Sequence, residues 1–355
     1  MNELIILIIG CIVFTLYFWL FKQLPKEHFQ FLAVRPYKKC DCDINAHDQW
    51  DGINFTYYGL FNANAYTFAI GLAIVLMGSI EIYFVQMLIM TVMILLICIP
   101  SSKLLAQLVE KKAHVFSVGA ASFVGIMFAP WIVYATHSMS KKIWDMEFNC
   151  LGVLAAISIA YAMGEAIGRL ACVSFGCCYG RPIKDLSISL QKLLLPVAMV
   201  YEGKTKKIAY ESQMDGIHVI PIQAITSIIY TIAGLGAMYL FLEGFFSSAF
   251  IIAILTTQLW RFISEFLRAD YRGDGKITVY QWMSLISCIV VLPIPFLLNM
   301  NNMNQLPNIM LGMTGLWQPS MIIFLQGMWL ITFLYTGRSN VTKAKISFQV
   351  VNTTC

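Results

Sequence analysis

Two stretches of the chain place ionisable side chains where chemistry, rather than solvation, would explain them. In GRLACVSFGCCYGRP (Gly168–Pro182), an arginine is followed by three cysteines, and Glu165 stands four residues before Arg169. An acid and a base at i and i+4 share one face of a helix and can pair there. In TTQLWRFISEFLRAD, Arg261, Glu265 and Arg268 recur at i, i+4 and i+7, one polar stripe on an apolar helix. Arginine presents a planar fork of donors that matches the oxygens of a carboxylate or a phosphate. Two arginines in apolar surroundings therefore point to an anionic ligand, a phosphate or a carboxylate.

The surroundings are apolar throughout. Of the 355 residues, 59% are hydrophobic and 12% charged, against about 25% charged in a soluble domain. Runs long enough to cross a hydrocarbon core of about 30 Å fall at 4–21, 65–80, 82–99, 115–134, 151–167, 222–242, 249–267, 282–298 and 321–335. They are continuous rather than alternating, which excludes a membrane β-barrel. The expected fold is all-α: a polytopic helical membrane protein of about 7 core spans plus an added span at each end. Its expected divisions are an extra span and polar loop over 1–64, a core over 65–298 and an extra span and tail over 299–355. A first span preceded by Asn2 and Glu3 and followed by Lys22, Lys26 and Glu27 reads as an uncleaved helix rather than a signal peptide. The net charge of +5 is ordinary for a membrane protein and gives no reason to expect nucleic acid. Residues 180–221 form an extramembrane insert, with DLSISLQ and EGKTKKIAYESQMDG reading as strands or turns.

A charge at mid-span costs about 2.5–3.5 kcal/mol on insertion scales. Arg268, near a helix end, can escape that cost by snorkelling. Arg261 lies seven residues deeper, about 10 Å at 1.5 Å per residue, and is expected to face an interior polar cavity together with Arg169. The spacing of Cys172, Cys177 and Cys178 fits no zinc motif, so packing beside glycine is the reading given to them, and no metal or cofactor is expected. DYRGDGKITVYQ (Asp270–Gln281) has the outline of a calcium loop. Arg272 and Gln281 occupy ligand positions there, however, so a polar turn between spans is the better reading. His137 and His218 read as solvated surface residues.

With those residues set out, the chain resembles the prolipoprotein diacylglyceryl transferase family. GRLACVSFGCCYGRP is similar to the family's glycine–arginine signature. VIPIQAITSIIY resembles the segment after the family's head domain, RFISEFLRADYRG with ITVYQWMSL the block near its end, and AYTFAIGLAI its first core helix. The resemblance implies a transferase of the bacterial cell (inner) membrane, moving the diacylglyceryl group of phosphatidylglycerol to the lipobox cysteine of a lipoprotein precursor and releasing glycerol 1-phosphate. It implies catalytic roles for Arg169, Arg261 and Glu265. Gly168, Gly176 and Gly180 would shape the loop at the substrate, with Tyr66, Ser117 and Gln223 also at the substrate site.

Three positions depart from the family: Cys172 stands for an asparagine and Cys177 for an acid, variants that recur among its members, and the third is a histidine. The family's phenylalanine–histidine–glycine–glycine segment maps to Phe116-Ser117-Val118-Gly119, so a serine stands where the family carries a histidine. Two further readings stay open on that ground: a phospholipid-using transferase with another acceptor, and a lipid-binding or transport protein without catalysis. The resemblance also implies that the signature faces outward, whereas the Lys/Arg distribution would place it in the cytoplasm.

Overall fold

A computed structural model describes residues 2–26, 31–36, 50–110, 117–272, 275–298 and 306–344. Its helices are α1 (Asn2–Gln23), α2 (Tyr57–Ser79), α3 (Phe84–Glu110), α4 (Val118–Trp144), α5 (Cys150–Phe175), α6 (Ile188–Leu194), α7 (Lys207–Ser212), α8 (Ile222–Leu242), α9 (Phe246–Glu265), α10 (Val279–Val291), α11 (Ile294–Leu298), α12 (Ile309–Leu316) and α13 (Pro319–Gly337). Among the described residues nine helical segments are long and apolar enough to cross a membrane, with α10 and α11 forming one of them. This is a multi-pass membrane protein.

The chain reverses between α2 and α3 within a few residues, at Glu81, whose φ of 62° takes the left-handed turn. Two spans therefore fill the apolar stretch that Glu81 interrupts. The first of them starts earlier than its apolar run, at Tyr57 rather than Ala65, because Thr56 caps the helix by accepting from the Gly59 amide at 3.3 Å. What reads as the end of a polar loop is thus the first turns of α2.

Apolar burial gives little drive for helix association within lipid, so close contact between small residues has to supply it. α5 is the most enclosed span, and its Gly164 and Gly168 face α2: a Cβ at Gly164 would lie 2.6 Å from the Ala69 Cβ, and one at Gly168 would lie 3.6 Å from the Ala65 Cβ. Gly164-x-x-x-Gly168 is therefore a packing seam. The first and last spans are tied to the bundle by side-chain hydrogen bonds. Tyr17 of α1 meets Thr231 of α8 at 3.0 Å, and Trp329 of α13 donates to Asn64 of α2 at 2.7 Å.

Strands appear where none was expected outside the insert. β1 (Phe31–Pro36), β2 (Trp50–Phe55) and β5 (Arg338–Ala344) form an antiparallel sheet in the order β1-β2-β5. Segments about 300 residues apart make this sheet, so no local pattern marks it. Within the insert the outcome is reversed. DLSISLQ runs through a turn into α6, KIAYES is α7, and only the two-residue β3 (Met199–Val200) and β4 (His218–Val219) pair. Lys206 ties the insert to the bundle: its buried ammonium donates to the carbonyls of Leu24 at 3.0 Å and Ser174 at 2.6 Å. A cation is favourable near the carbonyl end of a helix such as α5.

Alternation of the spans puts the C-terminal ends of α5 and α9 at the same end of the bundle as the N-terminal ends of α4, α8 and α10. Every residue singled out in the sequence for chemistry lies toward that end. Lys141 and Lys142 mark the opposite one.

Candidate lipid-phosphate site

α5 ends at Gly176, which adopts φ 71° and caps the helix, its amide bonding back to the Cys172 carbonyl at 2.9 Å. A left-handed cap suits glycine because a Cβ is strained there. The chain then runs extended through Tyr179–Pro182 between two neighbours. Ala269 donates to the Tyr179 carbonyl at 3.1 Å, Arg181 to Leu267 at 2.9 Å, and Ile220 to the Arg181 carbonyl at 3.0 Å. At Gly180 a Cβ would collide with the backbone of Ile220. The signature loop is thereby stitched to the end of α9 on one side and to β4 on the other, which brings the two charged stretches of the sequence together.

Glu165 lies at the centre. Its side chain is 5% exposed and pairs with Arg169 on the next turn of α5. It also receives Arg261 from α9, whose Nη2 lies 2.6 and 2.7 Å from the two carboxylate oxygens. Arg261 Nη2 further reaches the Tyr161 hydroxyl at 3.2 Å, to which Gln258 donates at 3.3 Å. The Nε of Arg169 and the Nε of Arg261 are buried without a hydrogen-bond partner. Gly119, in the first turn of α4, abuts this group: a Cβ there would stand 3.2 Å from Arg261 Nη1 and 3.7 Å from the Ser117 hydroxyl. Ser117 is the N-cap of α4, accepting from Ala120 at 3.4 Å. Phe116 and His114 lie outside the described residues.

The stripe expected from Arg261, Glu265 and Arg268 is divided, because α9 ends at Glu265 and the chain turns before Arg268. Arg268 does not snorkel: its side chain is 7% exposed and grips Asp270 with two bonds, Nε to Oδ1 at 2.8 Å and Nη2 to Oδ2 at 2.6 Å. Glu265 accepts from Arg268 at 3.5 Å, and its other oxygen is buried without a partner. Arg272 joins at 3.2 Å from Asp270. Burial alone would push the Asp270 carboxyl up, but Arg268 and Arg272 outweigh it and hold the group below the usual carboxylate range. With its carboxylate engaged by arginines, Asp270 is not a calcium ligand; Asp274 lies outside the described residues.

Two clusters therefore stand side by side, and their charges differ. Arg268 and Arg272 against Glu265 and Asp270 sum to zero. Among the described residues, Arg169 and Arg261 against Glu165 leave one positive charge, in a setting where an uncompensated charge is costly.

Of the remaining expected residues, Gly168 is helical and packs on α2, so it does not shape the loop. Gln223 braces that loop, donating to the Cys177 carbonyl at 2.7 Å from a side chain that is 1% exposed. Tyr66 is on α2 beside Ala65, with 42% of its surface exposed, and its hydroxyl lies near enough to Glu165 to feel the charge of that carboxylate. His137 is half-buried, accepting from Phe148 at 3.4 Å, while His218 is exposed as expected. Glu165 is the residue that sequence reasoning undervalued. Its i+4 relation to Arg169 was visible, but the second arginine reaches it across 96 positions of sequence.

The cysteines also converge. The sulphurs of Cys172, Cys177 and Cys178 all lie within 4.8 Å of one another. The neighbouring Cys172 and Cys177 thiols pull the Cys178 thiol well below its usual range against the effect of burial, with help from Arg268 and Arg272. The same contacts with Cys172 and Cys178, added to burial, push Cys177 up.

A family model described as prolipoprotein diacylglyceryl transferase matches residues 49–297. The chain belongs to that family. The match takes in α2 to α11, including both charged clusters, and leaves α1, α12 and α13 outside it. A curated relative from Clostridium tetani, named phosphatidylglycerol–prolipoprotein diacylglyceryl transferase, is 26% identical over 152 residues, covering 42% of this chain and 53% of the relative. The aligned part thus spans about half of the relative's length. No solved structure matches.

Proposed function

We propose that this member of the family transfers the diacylglyceryl group of phosphatidylglycerol to the lipobox cysteine of a lipoprotein precursor, in a bacterial cell (inner) membrane. The observation that carries the proposal is the buried charge of the Arg169–Glu165–Arg261 cluster. One residual positive charge matches one phosphodiester, and the two unpartnered Nε donors would find acceptors in its oxygens. An unsatisfied buried donor costs about 1–3 kcal/mol, which the headgroup would recover on binding.

In the transfer, the acceptor sulphur attacks the glyceryl carbon. A C–S bond forms, the bond between that carbon and the phosphate-ester oxygen breaks, and its electron pair leaves on glycerol 1-phosphate. The thiol's proton passes to water. The leaving phosphate gains a negative charge, and Arg169 and Arg261, held by Glu165 and Tyr161 in a nearly water-free setting, are placed to stabilise it. Glu165 orients both guanidiniums, so they need not reorganise as the charge develops. Glu265 acts through Arg268 and the loop stitched to it, a positioning role.

Ser117 favours a second reading, in which the acceptor is not a lipobox thiol. A serine that caps α4 offers no base of the histidine kind. Donor binding is common to both readings and is tested first. Detergent-solubilised protein is titrated with phosphatidylglycerol and with diacylglycerol, which lacks the phosphate, and bound lipid is read by native mass spectrometry. Retention of the phospholipid alone, weakened at least about tenfold by Arg261→Ala, is expected. Equal retention of both lipids would remove the phosphate assignment.

A further inference from the structure

We infer that Cys172, Cys177 and Cys178 form a binding site for a thiophilic metal ion, Zn(II), with three thiolate ligands and one open position. The three sulphurs come from two elements. Cys172 is on the last turn of α5, and the Gly176 cap folds the chain back so that the Cys177 amide bonds to the Cys172 carbonyl at 3.1 Å. Cys178 then adopts φ 58°, a left-handed conformation that is uncommon for a side chain other than glycine, asparagine or aspartate. That turn directs the third sulphur toward the other two.

The resulting spacing suits a metal. Zn–S bonds of about 2.3 Å in tetrahedral geometry separate ligand sulphurs by about 3.8 Å. The sulphurs are already within 4.8 Å of one another, so a small contraction closes the site. The surroundings hold it in place: Gln223 fixes the Cys177 carbonyl, and Arg272 Nη2 stands 3.8 Å from the Cys178 sulphur. Three thiolates and Zn(II) carry a net negative charge, which a guanidinium offsets. Among the described residues no fourth histidine, cysteine, aspartate or glutamate joins the group. Three protein ligands with one position left open is the arrangement of zinc sites that bind a reactant rather than only brace a fold. The sequence spacing resembles no zinc motif because the convergence depends on two left-handed residues.

The site stands on the sulphurs alone; its use rests on the transferase reading. Cys172 follows Arg169 by three residues on the same helix face, so a thiol at the open position would sit beside the lipid-phosphate cluster. A thiol bound to zinc is held as thiolate, its proton passing to water. The sulphur lone pair is then available for the C–S bond without the histidine that Ser117 replaces.

The test uses the full chain in detergent under reducing conditions, stripped of metal and titrated with Co(II). The expected result is a thiolate-to-Co(II) charge-transfer absorption that saturates at one equivalent and is displaced by Zn(II). Cys177→Ser and Cys178→Ser should each abolish it, while Cys98→Ser, on α3, should leave it unchanged. A lipobox peptide should shift the Co(II) spectrum, and the peptide with serine for cysteine should not. Lack of the band in the wild type, its survival in both variants, or recovery of two of the three cysteines as a disulfide would overturn the site. A normal band that the peptide leaves unmoved would retain the site and overturn its role, whether or not the protein proves to be a transferase.

Discussion

Arg261 reaches from α9 to clasp both oxygens of Glu165 on α5, at 2.6 and 2.7 Å, while Arg169 holds the same carboxylate from the next helical turn. One acid thus organises two guanidiniums and leaves one positive charge unmatched. The neighbouring set around Arg268 balances itself. That difference is the ground for proposing the first cluster as the place for a phosphodiester, and it sets distinct expectations for each residue.

Glu165→Gln should be more damaging than loss of either arginine. It leaves two buried cations with no counter-charge, and breaking a buried pair costs about 3–5 kcal/mol. A clear drop in thermal midpoint in detergent, partly restored by added phosphatidylglycerol, is the expected outcome. An unchanged midpoint would mean that the carboxylate does not hold the cluster.

Arg261→Ala leaves Glu165 paired with Arg169, so the fold should survive. Transfer should fall by about 10²–10³-fold, the scale seen when one donor to a developing anion is lost. Arg261→Lys keeps the charge but loses the unpartnered Nε donor and the planar fork that would meet a phosphate, and should recover only a small part of the rate. Size-exclusion profiles separate misfolding from loss of chemistry. Near-normal turnover in Arg261→Ala at normal expression would remove the arginine from the mechanism.

Ser117, which the resemblance sets against the family's histidine, serves as a helix cap with a long bond of 3.4 Å. Ser117→Ala should cost about 0.5–2 kcal/mol of stability and leave the transfer rate within about twofold of the wild type. A large loss of rate in a protein of normal stability would make the hydroxyl a catalytic group.

Sequence and structure agree most where a single helix carries the information. The i, i+4 spacing of Glu165 and Arg169 and the continuous apolar runs fixed the local pairing and the spans before any contact was known. What depended on distant segments was hidden. The three-stranded sheet joins β2 to β5, which lie at opposite ends of the chain. Glu165 becomes the hub only when α9 is laid on α5, and the cysteines meet only because Gly176 and Cys178 are left-handed. Gly168 illustrates the reverse error: in the motif it reads as a loop glycine, yet in space it is one half of a Gly-x-x-x-Gly seam against Ala65 and Ala69. Arg268, which could have snorkelled, instead found Asp270 two residues on, after the helix had ended.

Asp270 gives a pH expectation with a definite sign. Its carboxyl is held below the usual range in the folded protein by Arg268 and Arg272. The stabilisation is therefore complete above the unfolded value of about 3.9 and is lost as pH falls through the lower folded value. Thermal midpoints should show no pH dependence from this group near neutrality and an acid limb below about pH 4. Asp270→Asn should lower the midpoint at neutral pH, by about 3 kcal/mol for the bidentate pair, and flatten the acid limb. An acid limb of undiminished depth in the variant would place its origin in another carboxylate.

The central claim is that the buried arginine pair serves diacylglyceryl transfer to a thiol. Its most direct measurement incubates purified protein with phosphatidylglycerol and a lipobox peptide and reads the peptide by mass spectrometry. The account predicts a diacylglyceryl mass gain on the cysteine, release of glycerol 1-phosphate, and loss of both in Arg169→Ala and Arg261→Ala. A wild-type protein that binds phosphatidylglycerol but leaves the peptide mass unchanged, with and without added Zn(II), would contradict it.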